Sequence, residues 1–232
     1  MNLTTERWFR ERTFHHDSFS DIGKLAVMKE EQGLRVSVCF PTLNEAGTIA
    51  GIIRQVRTEL VERHPLVDQL AIIDSRSDDG TVEAAEAEGA EVFFDDEVLR
   101  ELPFAGGKGD ALWKSLYCLD GDIIAWVDSD IENFHPRFVY GIVGPLLADP
   151  GIGYVKGFYR RPIREGQDLA PTGGGRVTEI LVRPLLNLFY PDLAGLIQPL
   201  SGEYAGRRSV LESVPFFTGY GVEIGLLIDI LE

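Results

Sequence analysis

Asp122-Ile123-Ile124-Ala125-Trp126-Val127-Asp128-Ser129-Asp130 is the stretch on which the fold turns. Residues 123–127 are all apolar, without the alternation of a half-exposed strand. Such a run describes a strand covered by helices on both faces. It leads directly into two carboxylates at i and i+2. Hard oxygen ligands of this kind suit Mg²⁺ or Mn²⁺, ions that normally also bind substrate phosphates. Taken alone, the tripeptide also describes a loop that solvates its carboxylates or caps the next helix.

The segments upstream repeat the pattern. Residues 34–40 form a strand that Pro41 is expected to end, and Asn44-Glu45 opens a helix. That helix carries Ile49, Ile52, Ile53, Val56 and Leu60 as a 3.6-residue stripe. A second strand covers 69–74, a short helix 81–88 and a third strand 90–94. After Gly106-Gly107-Lys108-Gly109 comes a helix to about residue 119. Strands alternating with helices at this spacing mean βαβ units. The fold class is α/β, with a Rossmann-like, mostly parallel sheet flanked by helices. Ligands of such sheets lie beyond the carboxyl ends of the strands. Residues 41–45, 74–79, Lys108 and 128–130 therefore surround one crevice.

Past residue 150 the pattern loosens. Residues 153–159 look like a strand, 160–172 like a polar loop, and a helix begins near Arg176, with Pro184 kinking or restarting it. The chain divides into an N-terminal arm with a short helix near 22–31 (1–33), a nucleotide-facing half (34–150) and an acceptor-facing half (151–232). The apolar segment 221–232 has no Gly cap, basic last turn or polar tail, so it reads as an element cut short.

Of 232 residues, 22 are Lys or Arg and 37 are Asp or Glu, a formal net charge of −15. The field of such a chain opposes nucleic acid and anionic membrane surfaces. No secretory signal or spanning segment is evident, and Cys39 and Cys118 read as free thiols in a reducing cytoplasm. Against that negative balance, Lys156, Arg160, Arg161, Arg164 and Arg176 form a concentrated positive segment. Gly173-Gly174-Gly175-Arg176-Val177-Thr178 offers amide groups at a helix start, a site for a phosphate or carboxylate. A flexible surface loop is the plainer reading of the same glycines.

The remaining candidates carry two readings each. Backbone at Pro41-Thr42-Leu43 suits a base edge and Glu45 a ribose or base donor, while Asn44 and Glu45 also suit a helix N-terminus. Asp74, Ser75, Ser77 and Asp79 are base or ribose partners, or an Asx turn. Lys108 sits in no P-loop, since Asp110 follows Gly109, yet it suits phosphates. Glu223 lies in an apolar segment and needs a partner or a task as acceptor-orienting group or base. The four histidines show no triad or metal spacing, and His135 before Pro136 reads as structural.

With these pieces in order, the chain resembles the glucosyl-3-phosphoglycerate synthases and the related mannosyl-3-phosphoglycerate synthases. The motifs are Pro41-Thr42-Leu43-Asn44-Glu45, Gly107-Lys108-Gly109, Asp128-Ser129-Asp130, Phe158-Tyr159-Arg160-Arg161-Pro162 and Gly173-Gly174-Gly175-Arg176-Val177-Thr178-Glu179. Pro199-Leu200-Ser201-Gly202-Glu203-Tyr204 and Gly219-Tyr220-Gly221-Val222-Glu223-Ile224-Gly225 complete them. The resemblance implies a type A glycosyltransferase fold. It implies transfer of a hexose from UDP-glucose or GDP-mannose to the 2-hydroxyl of 3-phosphoglycerate, with retention. In that reading Asp130 binds Mg²⁺ or Mn²⁺. Asp128 contacts ribose or sugar and acts with Glu223 in catalysis. Pro41, Thr42, Leu43, Glu45, Ser75, Lys108 and Ser129 hold the donor, and Gly174, Gly175, Arg176 and Thr178 the acceptor. It also implies a homodimer and a further His metal ligand downstream of Glu232. A sugar nucleotidyltransferase and an inactive nucleotide-sugar-binding module are the competing readings. The first usually places a basic Gly-rich loop where residues 41–45 stand here.

Overall fold

The structure is a computed structural model and describes residues 3–103, 105–159, 163–165, 168–170 and 176–232. Its centre is a six-stranded sheet. Strands β1 (Val36–Thr42), β2 (Gln69–Asp74), β3 (Glu91–Phe94), β4 (Ile123–Trp126), β5 (Tyr154–Lys156) and β8 (Tyr204–Arg207) lie in the order β3-β2-β1-β4-β8-β5. The pairs β3–β2, β2–β1 and β1–β4 are parallel, whereas β8 runs antiparallel to both β4 and β5. The mostly parallel α/β sheet is thus present, with one reversed strand. A separate hairpin pairs β6 (Ile163–Glu165) with β7 (Asp168–Ala170), inside the segment expected to be a polar loop.

Period-two alternation in the strands builds two cores. Val36, Val38 and Phe40 of β1, with Ile72 and Ala125, face one side. There they meet Ile49, Ile52, Ile53 and Val56 of helix α3 (Ile49–Val56) and the buried face of helix α6 (Arg137–Ala148). All four α3 side chains are at most 1% exposed, and burying each one contributes about 1.5–3 kcal/mol before entropy is counted. The intervening residues Cys39, Ala71, Ile73, Ile124 and Trp126 face the opposite side. They pack on helix α5 (Lys108–Ser115) and helix α9 (Val222–Leu231) through Ala111, Leu112, Val222 and Leu226. Trp126 donates its indole N–H to Ser115 Oγ at 2.9 Å, so its burial leaves no orphaned donor.

Two further expectations need correction, and one strand lies outside the expected set. Pro41 does not end β1: it pairs with Ile73 in register, and the strand continues through Thr42. The ladder with β4 stops at Cys39↔Trp126, so the missing Pro41 N–H costs no bond there. Asn44-Glu45 does not open α3. The helix begins at Ile49, while Asn44 takes a left-handed conformation with φ 61°. Its Oδ1 accepts from Asp78 N, and its own N–H donates to Ser77 Oγ, so it ties two loops together. Strand β8 was not foreseen, because its four residues Tyr204-Ala205-Gly206-Arg207 include a glycine and are shorter than any periodicity test needs.

Other expectations hold. Helix α4 (Thr81–Ala87) lies where the short helix was placed. Pro184 stands in the first turn of helix α7 (Arg183–Phe189), where a π-helical turn at Thr178–Val182 gives way to α geometry. Both cysteines are free. His135 accepts from Arg137 N at 3.1 Å and so serves the start of α6. No helix among the described residues is long and apolar enough to cross a membrane.

Two glycine-dependent and charge-dependent details of this frame are testable. A Cβ on Gly109, in the first turn of α5, would lie 1.8 Å from the carbonyl oxygen of Phe217. Gly109→Ala therefore pushes α5 from the 217–221 turn, and urea titration should show a loss of about 1–3 kcal/mol. An unchanged midpoint would refute the close approach. The Lys156 ammonium is buried, while part of its stem reaches solvent. It lies 4.1 Å from the centre of the Tyr204 ring and makes no hydrogen bond to a described residue. Burial lowers its pKa to about 7, with Lys108 adding to the fall and Glu223, Glu203 and Asp128 opposing it. The unfolded lysine titrates near ~10.4. Between these values the unfolded state holds a proton that the folded state lacks, so this residue's contribution to stability rises with pH. The stability of wild type relative to Lys156→Met should therefore climb from pH 7 to pH 10, and a flat difference would refute it.

Candidate active site

The carboxyl ends of β1, β2 and β4 meet the start of α5, and each end delivers polar groups for a reason local to its sequence. Where β1 ends, Thr42 Oγ1 donates to Asp74 Oδ2 at 2.7 Å. Where β2 ends, Asp74 is fully buried and accepts from Ser77 N at 2.8 Å and Ser77 Oγ at 2.6 Å. The Asx-turn reading of Asp74 is therefore correct, and its two oxygens are occupied by protein. Thr42 is spent in the same network. Asp79 accepts from Ala46 N and Thr81 N, which stitches the β1 loop to the start of α4.

After β4 the chain turns sharply. Ser129 is buried, and its hydroxyl donates to the Pro41 carbonyl at 2.6 Å. Thr48 Oγ1 donates to the Ser129 carbonyl at 2.5 Å. These two bonds fix the carboxylates on either side of Ser129. Asp128 is held from below: a Cβ on Gly202 would sit 2.0 Å from Asp128 Oδ2, so only glycine leaves the carboxylate its place. The role of Gly202 was invisible to spacing arguments, since residue 202 approaches residue 128 only through the β4–β8 pairing.

The centre of the site is Lys108, the first residue of α5. Its ammonium lies 2.6 Å from Asp128 Oδ1 and 2.8 Å from Glu223 Oε1. The Glu223 side chain is 5% exposed, that of Lys108 16% and that of Asp128 28%, so the triad is buried at Glu223 and opens toward the crevice at Asp128. Burial pulls the Lys108 pKa down, but Asp128 and Glu223 overcompensate, and the ammonium titrates well above its ordinary range. Glu223 thus has its partner in Lys108. Lys108 also stands at the positive end of α5, which adds to the attraction for both carboxylates.

On the outer rim lie Glu45, Asp79 and Asp130. Glu45 is half-buried, and Asp130 is exposed. Burial raises the Glu45 pKa, and the charges of Asp130, Asp79 and Asp128 raise it further. Mutual repulsion among hard oxygen ligands is the condition that a divalent cation relieves, so Asp130 and its neighbours fit Mg²⁺ or Mn²⁺ by donor chemistry. Leu43 is exposed and Ser75 half-buried at the same end of the sheet.

The structure thus brings together Pro41, Thr42, Glu45, Ser75, Lys108, Asp128, Ser129, Asp130 and Glu223. The acceptor residues are less complete. Gly174 and Gly175, with Arg160 and Arg161, lie outside the described residues. Arg176 is exposed, and Thr178 is buried at the start of the π-helical turn. Lys156 leaves the expected positive segment, because its ammonium is buried against Tyr204. His15, His16 and Asp17 form a cluster with ligand atoms within 4.8 Å of one another, which the sequence spacing had not suggested. It packs near Tyr140 of α6 through His16.

With the geometry in hand, the similarities are specific. Residues 37–214 match the profile of the glycosyl transferase family 2. The chain is 59% identical over 222 residues to the glucosyl-3-phosphoglycerate synthase of Petrotoga mobilis, covering 96% of this chain and 68% of that protein. The crystal structure of mannosyl-3-phosphoglycerate synthase from Rubrobacter xylanophilus matches at TM-score 0.90 and 44% identity, covering 98% of this chain and 70% of that one. Glucosyl-3-phosphoglycerate synthase from Mycobacterium tuberculosis, crystallised with Mn²⁺, UDP-glucose and phosphoglyceric acid, matches at TM-score 0.79 and 49% identity, covering 90% and 68%. The sheet described above is the type A glycosyltransferase fold. By its strand order, its site and these identities, the chain belongs to the family 2 glycosyl transferases, within the glucosyl-3-phosphoglycerate synthase group.

Proposed function

We propose that this chain transfers glucose from UDP-glucose to the 2-hydroxyl of 3-phosphoglycerate, with retention and with Mg²⁺ or Mn²⁺. The observation that carries the reading is the Lys108 bridge, 2.6 Å to Asp128 and 2.8 Å to Glu223. One ammonium joins a carboxylate at the end of β4, where a donor sugar belongs, to a carboxylate on α9, where an acceptor belongs. The 59% identity to a glucosyl synthase supports the choice of hexose.

The residues divide the work as follows. Glu45, Ser75 and the backbone at 41–43 hold the nucleoside, with Ser129 fixing that backbone through Pro41. Asp128 accepts hydrogen bonds from ribose or sugar hydroxyls with the oxygen that Lys108 leaves open. Asp130 holds the divalent ion, which when bound neutralises the leaving diphosphate. Glu223 accepts from the acceptor hydroxyl and orients it toward the anomeric carbon. As the bond from that carbon to the diphosphate breaks, the bond to the hydroxyl oxygen forms on the same face, and the hydroxyl proton passes to the departing diphosphate oxygen. Lys108 holds both carboxylates in place and offers its charge to the diphosphate. Gly174, Gly175, Arg176 and Thr178 bind the phosphate and carboxylate of 3-phosphoglycerate.

Two outcomes test this. Release of nucleoside diphosphate should require 3-phosphoglycerate and divalent metal together, and a donor panel should favour UDP-glucose over GDP-mannose. Release without acceptor would overturn the synthase reading, and pyrophosphate formed from a nucleoside triphosphate would favour a nucleotidyltransferase. Lys108→Met removes the charge that holds the triad, and kcat should fall by about 10²-fold or more. A fall in apparent acceptor affinity alone would place Lys108 outside the reacting centre.

A further inference from the structure

Three hydroxyls stand at the carboxyl ends of β1 and β2: Thr42, Ser75 and Ser77. Thr42 is buried and donates to Asp74. Ser77 donates to Asp74 and accepts from Asn44 N–H, so its proton and one of its lone pairs are committed within the protein. Ser75 differs. It is half-buried, and its hydroxyl donates to Asp95 Oδ2 at 2.7 Å. Asp95 follows β3 and is 1% exposed. Its N–H donates to the Asp74 carbonyl at 3.2 Å, which fixes it beside Ser75. The neighbouring Arg76 is turned away from this hydroxyl: it lies over the Phe94 ring and pairs with Asp96 and Glu97.

A carboxylate has no proton to give, so the Ser75–Asp95 bond has one polarity. Ser75 spends its only proton on Asp95. What it presents outward is a pair of lone pairs. A ligand atom meeting Ser75 is therefore a donor, and an acceptor there meets repulsion and stays unpaired. Uracil carries N3–H and guanine N1–H at the centre of their pairing edges. Cytosine N3 and adenine N1 are lone-pair acceptors.

We infer that Asp95 is a specificity-determining positioning residue, which locks Ser75 as an acceptor and so selects nucleoside diphosphate sugars whose base has a ring N–H. The inference rests on the crevice holding the donor nucleotide as proposed above. On this ground uracil and guanine bind in preference to cytosine and adenine, whatever the size of the base. The lock also gives the buried Asp95 carboxylate a task, where burial raises its pKa against the pull of the Ser75 bond.

The test compares bases of equal size. Binding of UDP against CDP, and of GDP against ADP, is measured calorimetrically with Mn²⁺ on wild type, Asp95→Asn and Ser75→Ala. Wild type should prefer the N–H base by about tenfold or more within each pair. In Asp95→Asn the side-chain amide can donate to Ser75, which frees the serine proton, and the UDP-to-CDP ratio should collapse to within about threefold. Ser75→Ala should collapse the same ratio, because the accepting oxygen itself is removed while the Asp95 carboxylate is retained. A ratio unchanged in both variants, or an equal loss for all four nucleotides, would overturn the inference without overturning the crevice as the donor site. No binding of any nucleoside diphosphate to wild type would overturn the proposed function itself.

Discussion

The ammonium of Lys108, held between Asp128 and Glu223, is the interaction on which the rest of the site depends. Without it the two carboxylates would repel, and the buried Glu223 would be left without a counter-charge. The lysine can reach both because α5 starts beside the end of β4, and because α9 folds back over the same sheet face. The pairing therefore records the closure of the fold as much as it prepares the chemistry. Residues 108, 128 and 223 come from three separate parts of the chain, and their meeting makes the donor side and the acceptor side one site.

That meeting is bought with glycine. The first turn of α5 touches the Phe217 carbonyl at Gly109, and the segment before β8 passes directly beneath Asp128 at Gly202. Gly225 of α9 faces the Phe217 ring just as closely. None of these positions needs a left-handed backbone. Each is glycine because another chain segment occupies the space a methyl group would fill. The −15 charge has a local counterpart: Glu45, Asp79, Asp128 and Asp130, four of the 37 acidic residues, stand around one crevice and raise its affinity for a cation.

Strand β8 is the second organising element. It lies antiparallel between β4 and β5, so a late segment of the chain is inserted into the middle of the sheet. Arg207 and Arg208, at its end, secure it. Arg207 donates to the Ile152 and Leu146 carbonyls, and Arg208 to those of Gly121, Leu116 and Leu119. These are helix ends and turns whose carbonyls would otherwise lack partners. The inserted strand brings Tyr204 over Lys156 and Gly202 under Asp128. It thus takes a lysine out of the positive segment and puts a glycine into the active site.

The parallel core was legible in the sequence because apolar runs of strand length alternate with a 3.6-residue stripe, and both periods arise from local backbone geometry. The metal-type carboxylates and Lys108 were legible because strand ends in such sheets converge. Pro41 inside β1, the late start of α3 and the whole of β8 were not. Each depends on which neighbour a strand finds, and pairing partners leave no periodic trace in a single chain. The same holds for polarity. The sequence by itself determined that Asp74 and Ser75 stand at a strand end. Only the tertiary structure decided that Asp74 is spent on Thr42 and Ser77 while Asp95 takes the proton of Ser75, because hydrogen-bond direction follows from which groups are buried together.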